Sequence, residues 1–377
     1  MKIGITCLAS AGGSGILATE LGLALANRGH EIHFVSYEPL FRVGCYDERI
    51  TCHYLELTAY PQFRHSPHTL ALATKIADVT DEHGIQLWHA HYAIPFAVCA
   101  LQARGMVAAD KRFKIVTTLH GTDITLVGID PSFYRITRFA MEASDAVTTV
   151  SRWLADETRR EFGLSRPIQT IYNFFNEERF QTDRLDRKKL AAPDEKILMH
   201  ISNFRPVKRV TDVVRVFKKV LERVPARLVM VGDGPERTAA VGVARQLDVA
   251  DKVKFLGSFQ NVESILPLAD LVIQPSEHES FGLVPLEAMV AGVPVIATAS
   301  GGVCEVIEHG ETGYLCEVGD IDSMAQYAAM LLTVDVLARD MGRKGRERSQ
   351  QRFAREPIVS QYEKLYASLL HSADWTI

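Results

Sequence analysis

The stretch Pro275-Ser-Glu-His-Glu-Ser-Phe-Gly-Leu-Val-Pro-Leu-Glu287 follows the apolar run Leu271–Gln274. The apolar run predicts a buried strand, and the residues from about Gly282 onwards predict a helix. The backbone N–H groups of the first helical turn, near residues 281–284, have no partner within the helix. They can bind phosphate oxygens, and the positive end of the helix dipole favours this. The stretch therefore predicts a phosphate site at the carboxyl end of a strand.

Two carboxylates, Glu279 and Glu287, flank this predicted site. Carboxylates that pointed at a phosphate would repel it, so hydrogen bonds from hydroxyls on either side are the more sensible role. Sugar hydroxyls are the natural donors, with Glu287 on a nucleotide ribose and Glu279 on a second sugar. A helix-capping acid followed by a solvated helix acid is the simpler interpretation, and the residues alone leave it open.

Around this stretch, short apolar runs alternate with amphipathic segments, which indicates parallel strands joined by helical crossovers. The predicted strands are Ile3–Cys7, Ile32–Tyr37, Leu87–Ala90, Ile115–Leu119, Ala146–Val150, Ile168–Ile171, Ile197–Ser202, Arg227–Val231, Val253–Leu256, Leu271–Gln274 and Val295–Ala297. Helices are predicted over Gly15–Arg28, Tyr134–Ser144, Val210–Arg223, Glu236–Leu247 and Ile358–Leu370.

The polar stretch 176–195 separates two such alternations, and 377 residues exceed one ordinary core. We predict an α/β protein with two doubly wound domains, residues 1–172 and 173–355. Ligands bind beyond the carboxyl ends of the strands in such sheets, so facing sheets would line one cleft.

Composition limits the functional class. The chain is 47% apolar and 23% charged, with a formal charge of −4, which does not suit a nucleic-acid or membrane-surface binder. No apolar stretch resembles a signal peptide or a membrane span, so we expect a cytoplasmic protein without membrane insertion. No C-x-x-C pair occurs, and reduced thiols fit best. The cysteines are Cys7, Cys45, Cys52, Cys99, Cys304 and Cys316.

A dinucleotide fingerprint gives the main alternative function. Gly13-Ser-Gly-Ile-Leu-Ala18 satisfies G-x-G-x-x-A, and Glu38 follows about twenty residues later. This pattern suggests an NAD-dependent oxidoreductase, which nicotinamide absorbance with malate would test. The fingerprint is short enough to occur by chance and ranks below the longer element at 279–287.

That longer element and its surroundings resemble the retaining glycosyltransferases of family 4, which have the GT-B fold. The C-terminal motifs are Glu279–Glu287 in an E-x7-E spacing, Val231-Gly-Asp-Gly-Pro-Glu236 and Ala291-Gly-Val-Pro-Val295. The N-terminal motifs resemble the branch of the family that uses L-malate as acceptor. These are Gly4–Cys7, Gly12–Gly15, His89–Pro95, Thr118–Asp123 and Tyr172–Phe174.

The resemblance implies transfer of N-acetylglucosamine from UDP-GlcNAc to the hydroxyl of L-malate, with retention, in bacillithiol biosynthesis. It implies no metal ion and no other cofactor, and it leaves a homo-oligomer open. It also implies an acceptor-binding domain at 1–172, a nucleotide-sugar-binding domain at 173–355, and a segment 356–377 that packs back on the first. A same-fold enzyme using inositol phosphate or a lipid-linked sugar, and a non-catalytic nucleotide-sugar sensor, stay as alternatives.

By the same resemblance, His120, Lys208 and Glu279 are the catalytic residues. Lys208 would stabilise the growing charge of the departing diphosphate, and His120 would face the donor sugar. Asn203 stands where many relatives have an arginine, and Arg205 follows two residues later, so either could assist Lys208. The donor-binding residues are Gly13, Ser14, Gly15, Asn203, Arg205, Phe281, Gly282, Leu283 and Glu287.

Malate has two carboxylates, so its site requires cations, hydroxyls or backbone amides. Arg138 matches the family pattern, whereas Arg135 on the same helix reads as exposed surface. The acceptor residues are therefore Ser14, Tyr92, Thr118, Arg138 and Asn173. A packed aromatic and a buried strand threonine are the simpler interpretations of Tyr92 and Thr118.

Two histidines on one strand raise the question of a metal. His89 and His91 are two residues apart and therefore share a face of the strand. A shared metal is not excluded by this direction alone, but no third ligand is evident nearby. We predict no metal site here.

Overall fold

The computed structural model describes residues 1–9, 12–40, 47–56, 67–181, 185–259 and 261–371. Cys45, residues 182–184 of the polar stretch and residues 372–377 of the terminal segment lie outside these ranges. The chain folds into two compact units, Met1–Asn173 together with Glu356–Ile377 (unit 1), and Phe174–Arg355 (unit 2).

Unit 1 is built on a seven-stranded sheet in the order β3-β2-β1-β4-β5-β6-β7, in which every pairing is parallel. The strands are β1 Lys2–Thr6, β2 Glu31–Ser36, β3 Ile50–Tyr54, β4 Leu87–His91, β5 Lys114–Leu119, β6 Ala146–Thr149 and β7 Ile168–Thr170. The helices are α1 Gly13–Asn27, α2 His68–His83, α3 Val98–Met106, α4 Thr122–Thr125, α5 Tyr134–Ala143 and α6 Arg152–Phe162.

Unit 2 has a six-stranded parallel sheet in the order β10-β9-β8-β11-β12-β13. The strands are β8 Lys196–Ile201, β9 Ala226–Val231, β10 Val253–Gly257, β11 Leu271–Gln274, β12 Val295–Thr298 and β13 Tyr314–Cys316. The helices are α7 Val210–Leu221, α8 Arg237–Gln246, α9 Leu283–Ala291, α10 Val303–Val306, α11 Ile321–Thr333 and α12 Asp335–Phe353. A last helix, α13 Arg355–His371, begins at the end of unit 2 and belongs to unit 1 from Glu356 onwards.

The central strands are buried on both faces, which explains their continuous apolar runs. In unit 1, Gly4 of β1 pairs with Trp88 of β4, and a Cβ at position 4 would lie 2.4 Å from the indole. Only glycine leaves room for that ring. The indole N–H of Trp88 donates to Thr80 Oγ1 at 2.8 Å, so its polar edge is also satisfied.

In each sheet the strand order reverses once near the middle, between β1 and β4 in unit 1 and between β8 and β11 in unit 2. The loops that leave neighbouring strands at such a reversal run in opposite directions. They open a crevice at the carboxyl ends of the strands, where doubly wound sheets bind ligands. Except for Arg138 on α5 and Asn173 after β7, the predicted site residues lie in one of these four strands or the adjacent β5, or in the loop or helix directly after it.

The structure confirms the α/β class and every predicted strand to within two residues at either end. Two strands, β3 and β13, were not predicted. Both lie at a sheet edge, and neither is fully buried along its length. Such half-buried, three- to five-residue strands lack the continuous apolar run that marks the central ones.

Two further expectations can be compared with the described residues. The five cysteines within them, Cys7, Cys52, Cys99, Cys304 and Cys316, are all free thiols. No single helix in the described ranges is long and apolar enough to cross a membrane. Helices α11 and α12 are long and apolar enough only when they are taken together, and they are bent by 103° relative to each other.

Candidate active site

In unit 2, the loops after β8 and β11 bring Lys208 and Glu279 into direct contact. Lys208 Nζ donates to Glu279 Oε1 at 2.6 Å, and Ser276 Oγ donates to the same oxygen at 2.8 Å. The side chains of Lys208 and Glu279 are 21% and 17% exposed. They are thus accessible from one side and pre-positioned by each other. The two residues were predicted to contact different parts of a donor, and the structure shows them as an ion pair.

The backbone of Glu279 is held by a glycine pair after β12. Gly302 N donates to Glu279 O at 2.7 Å. Gly301 has φ +81°, and a Cβ there would lie 2.2 Å from Glu279 O. Position 301 therefore needs glycine both for its conformation and for the close approach of the two backbones.

Replacing Gly301 with alanine is expected to displace Glu279 and to lower transfer activity about tenfold, with a loss of about 2 kcal/mol of stability. Gly310→Ala is the matched control, because Gly310 has φ +82° but nothing within 4 Å of its added Cβ. That variant should lose only about 1 kcal/mol, and its activity should be unchanged. Urea unfolding and steady-state kinetics measure both. Equal losses of activity in the two variants would contradict the positioning role.

Helix α9 begins at Leu283, one residue after the predicted start, with Gly282 at φ +98° as its N-cap. Its first helical hydrogen bond runs from Leu286 N to Gly282 O, so the amides of Leu283 and Val284 precede it. No side chain caps this end, and no acidic residue lies in the first turn. The end therefore keeps the positive dipole that a phosphate needs. Glu287 lies in the second turn and is partly buried.

Asn203 and Arg205 lie on either side of Phe204. The Phe204 side chain is fully buried, and its backbone has φ +40°. Both flanking side chains are exposed, and the geometry does not choose between them. Two glycines in the loop after β9 pack against the backbone of this loop. A Cβ at Gly234 would lie 2.1 Å from Asn203 O, and a Cβ at Gly232 would lie 1.8 Å from the carbonyl oxygen of residue 202. The glycines of the motif at 231–236 thus serve close packing of two loops.

A cation that the sequence analysis missed lies next to this loop. Arg209, at φ +48°, contacts Asp212 and Glu277, with Nη1 3.0 Å from Glu277 Oε1. Glu277 N also donates to Val207 O at 2.8 Å. These contacts tie the loop after β8 to the loop after β11. Nothing in the spacing of Arg209 and Glu277 signals that they meet.

In unit 1, helix α1 begins at Gly13, with Gly12 as N-cap. The first helical bond runs from Ile16 N to Gly12 O at 3.1 Å, so the amides of Gly13, Ser14 and Gly15 precede it. No side chain caps this end either. A 15-residue helix with three such amides is suited to an anion.

His120, at the end of β5, is joined to a buried polar network. Its Nε2 is hydrogen-bonded to His91 Nδ1 at 2.9 Å, and the His91 ring lies against that of His89, with centroids 4.2 Å apart and planes tilted by 33°. His89 is in turn hydrogen-bonded to Thr118 at 2.6 Å and to the hydroxyl of Tyr366 in α13 at 2.6 Å. Burial lowers the pKa of His120 and of His89 to about 3, so both rings are neutral at pH 7.

Asp123 orients the loop that carries His120. Its Oδ1 accepts from the amides of His120 and Gly121 at 3.1 and 2.9 Å, and its Oδ2 accepts from Ala93 N at 3.2 Å. Burial raises the pKa of Asp123 to about 6. The carboxylate thus holds the ends of β4 and β5 together and orients the loop of His120.

The predicted acceptor residues differ in their surroundings. Thr118 Oγ1 already bonds His89 Nε2 and Thr148 Oγ1, each at 2.6 Å, so this hydroxyl belongs to the buried network. Tyr92 has φ +92°, which is strained for an aromatic residue, and its ring lies 5.2 Å from that of His120. Asn173 is buried. Arg138 is 48% exposed, with Nε 3.7 Å from Glu142 Oε1.

His91 carries a signal that the sequence analysis did not use. Its Nε2 is buried and has no hydrogen-bond partner among the described residues. This nitrogen lies at the end of β4, next to the reversal of the strand order, and keeps its hydrogen-bonding capacity for a further group. Both ring nitrogens of His89 are occupied by Thr118 and Tyr366, so His89 has none left for a metal.

The buried histidines predict acid sensitivity of unit 1. The folded pKa of His89 and His120, about 3, lies below the unfolded value near 6.5, so stability is lost as the pH falls below about 6.5. At pH 5 each of these two rings lowers the free energy of unfolding by about 2 kcal/mol. Asp123 has a raised pKa, so its protonation in the folded state restores about 1 kcal/mol. These three groups alone give a net loss of about 3 kcal/mol between pH 7.5 and pH 5, and the lowered pKa of His53 and of His91 adds to that loss.

Urea unfolding followed by tryptophan fluorescence measures this loss. Trp88 and Trp153 report on unit 1, and the third tryptophan of the chain, Trp375, lies outside the described residues. An unchanged unfolding midpoint from pH 7.5 to pH 5 would contradict the prediction.

Sequence comparisons agree with this geometry. The family described as "Glycosyltransferase Family 4" matches residues 11–179, and the family described as "Glycosyl transferases group 1" matches residues 181–348. The two matches fall on unit 1 and unit 2.

A relative from Bacillus anthracis, N-acetyl-alpha-D-glucosaminyl L-malate synthase, is 48% identical over 373 residues, which cover 98% of this chain and 97% of the relative. The chain therefore belongs to the retaining glycosyltransferases of family 4 and is a hexosyltransferase.

Solved structures share the fold. Sucrose-phosphate synthase from Thermosynechococcus elongatus superposes with a TM-score of 0.83 at 24% identity, covering 98% of this chain and 99% of that one. Anabaena HepE in complex with UDP and glucose gives a TM-score of 0.82 at 19% identity, covering 98% and 100%. At these identities the likeness shows the GT-B fold alone.

Proposed function

We propose that this enzyme transfers N-acetylglucosamine from UDP-GlcNAc to the hydroxyl of L-malate, releasing UDP and forming an α-glycoside for bacillithiol biosynthesis. The identity of 48% over nearly the whole chain to an enzyme named for that product carries the choice of substrates. The Lys208–Glu279 pair beside the uncapped end of α9 supports the donor half of the proposal.

In this proposal, Lys208 exchanges the Glu279 carboxylate for a phosphate oxygen when the donor binds. The UDP diphosphate lies on the first-turn amides of α9, and Lys208 moves from the carboxylate to a phosphate oxygen. Glu279, released from the ammonium, accepts a hydrogen bond from a hydroxyl of the transferred sugar, and Glu287 accepts one from the ribose. Asn203 or Arg205 assists at the phosphates. A positive lysine and oriented amides supply the charge that a metal ion would otherwise bring, so the reaction proceeds without one.

Acceptor binding uses unit 1. Arg138 and the amide of Ser14 hold malate carboxylates, with Tyr92 and Asn173 beside them. His120 is neutral because its pKa is about 3, so it hydrogen-bonds a donor hydroxyl rather than supplying a proton or a positive charge. His91 Nε2 is the unpaired acceptor or donor next to it.

The chemistry balances without a covalent enzyme intermediate. The malate hydroxyl oxygen attacks the anomeric carbon from the side of the leaving group, the bond from that carbon to the diphosphate oxygen breaks, and the hydroxyl proton passes to the departing phosphate. Configuration is retained. The charge that grows on UDP is stabilised by Lys208 and the α9 amides.

Product identification tests the proposal. The enzyme is incubated with UDP-GlcNAc, UDP-glucose or GDP-mannose and with L-malate, an inositol phosphate or a lipid-linked sugar, and products are read by mass spectrometry and NMR. N-acetylglucosaminyl malate in the α configuration is expected from one combination only. Transfer to another acceptor in preference to malate would overturn the acceptor assignment, and NADH formation from malate would point to an oxidoreductase.

The five free thiols support a reducing, cytoplasmic location. We propose that location together with the two small-molecule partners, UDP-GlcNAc and L-malate.

A further inference from the structure

Three histidines meet in unit 1 at an edge of the sheet that the transfer reaction does not use. His33 lies on β2, His53 on β3 and His83 at the end of α2. One nitrogen from each ring lies within 4.8 Å of the others. The rings of His33 and His53 are stacked with centroids 5.3 Å apart, and the His83 ring lies 4.4 Å from that of His33. The histidines are thus brought together from three separate elements.

The arrangement of nitrogens is that of ligands to a common ion. His33 Nδ1 and His53 Nε2 face each other at 3.0 Å. Two imidazole nitrogens around a tetrahedral zinc ion are about 3.4 Å apart, given bonds of about 2.0–2.1 Å. These two nitrogens therefore need to separate only slightly. The side chain of His83 is 28% exposed, and its ligand nitrogen lies within 4.8 Å of the other two.

A carboxylate orients the buried member of the cluster. His33 is almost fully buried, and its Nε2 lies 3.0 Å from Glu31 Oε1. When Nε2–H donates to this carboxylate, the lone pair of Nδ1 points towards His53. A carboxylate behind the second ring nitrogen is the usual companion of a metal-binding histidine.

The surrounding charges allow a cation. Lys2 Nζ lies 3.4 Å from Glu31 Oε2 and donates to His83 O, so one carboxylate offsets its charge. Glu82 Oε1 lies 3.7 Å from His83 Nε2 and adds a second negative charge, which offsets the positive charge that Lys75 brings to His53.

We propose that His33 Nδ1, His53 Nε2 and His83 bind one transition-metal ion, with zinc as the best match, and that Glu31 orients His33. Three imidazoles, with water as a fourth ligand, suit this metal. The three ligands belong to β2, β3 and α2 at one edge of the sheet, whereas the loops of Ser14, Tyr92 and His120 follow β1, β4 and β5 in its middle. The ion joins the exposed edge strand β3 to β2 and α2, and it is a stabilising site independent of the transfer reaction.

Zinc binding to the untagged, chelator-treated full chain tests the proposal. Equilibrium dialysis with zinc chloride should give one ion per chain, and cobalt(II) should develop the strong visible absorption of a tetrahedral site. Zinc should raise Tm by about 5 °C. His53→Asn and His83→Asn each change a partly exposed ring and should weaken binding at least about 100-fold, and Glu31→Gln should weaken it about tenfold.

His68→Asn is the matched control, because His68 is an exposed histidine at the other end of α2. It should bind zinc like the wild type. Circular dichroism without metal and transfer activity show that each variant is folded. Absence of a stoichiometric ion in the wild type, or zinc affinity in both His53→Asn and His83→Asn equal to that of the wild type, would overturn the proposal.

Discussion

Replacing Lys208 with methionine is expected to lower kcat about a thousandfold, which corresponds to about 4 kcal/mol of transition-state stabilisation. Methionine keeps the length and apolar stem of the side chain and removes only the ammonium. The diphosphate gains negative charge as the glycosidic bond breaks, so the loss should fall on kcat rather than on KM for the donor.

The same substitution should change the free energy of unfolding by no more than about 1 kcal/mol. The Lys208–Glu279 pair is about one-fifth exposed, and ion pairs with access to solvent contribute little to stability. A large kinetic effect with a small stability effect therefore separates charge stabilisation from support of the fold. Urea unfolding and initial-rate kinetics on one protein preparation measure the two quantities.

Lys219→Met provides the control, because Lys219 is an exposed lysine on α7 whose ammonium pairs with Asp322 at 2.8 Å. It should keep wild-type kcat. Glu279→Gln distinguishes the contribution of Glu279 from that of Lys208, because it keeps the shape of the side chain and removes the negative charge that neutralises Lys208. If Lys208→Met retains kcat within about threefold of the wild type, the role of this lysine at the diphosphate is wrong.

Replacing Arg138 with alanine is expected to lower kcat/KM for L-malate about 50-fold, with little change in KM for the nucleotide sugar. Hydrogen bonds to charged groups contribute about 1.5–3 kcal/mol each, and a guanidinium binds a carboxylate through two of them. In the structure the Arg138 Nε is 3.7 Å from Glu142, a loose i,i+4 contact that a substrate carboxylate can replace.

Arg135→Ala is the matched control for this effect. Both arginines lie on α5 and are exposed, and they differ by three residues in position. Kinetics with malate and with a monocarboxylate of the same size compare the two variants. The same loss in Arg135→Ala as in Arg138→Ala would mean that the helix contributes a diffuse positive field and that Arg138 has no specific role.

Much of the fold was readable from the sequence, and the reasons lie in particular segments. The run Leu271–Gln274 is buried on both faces of a parallel sheet, so its apolar character is continuous and its bounds were predicted as observed. Gly282 marks the start of α9 because a left-handed N-cap there requires glycine. By contrast, the edge strand β3 is half exposed and carries no such run.

The contacts of the site were less accessible to sequence reasoning. Lys208 and Glu279 are 71 residues apart, and only the pairing of β8 with β11 makes them neighbours. Tyr366 reaches His89 across 277 residues of chain. The cluster of His33, His53 and His83 combines residues of two strands and a helix end, and the spacing of these histidines in the sequence does not predict it. Residue types and loops were thus predictable, whereas pairings that depend on register and long-range closure were not.

The place of α13 in unit 1 has a consequence for biosynthesis. This helix follows all of unit 2 in the chain, yet it supplies Tyr366 to His89 and Glu363 to Arg28. During translation, the sheet of unit 1 leaves the ribosome first but cannot obtain these partners until unit 2 has also emerged. The nascent chain must therefore keep an incompletely covered sheet face from aggregating during that interval, and the unit made first is the last to be completed.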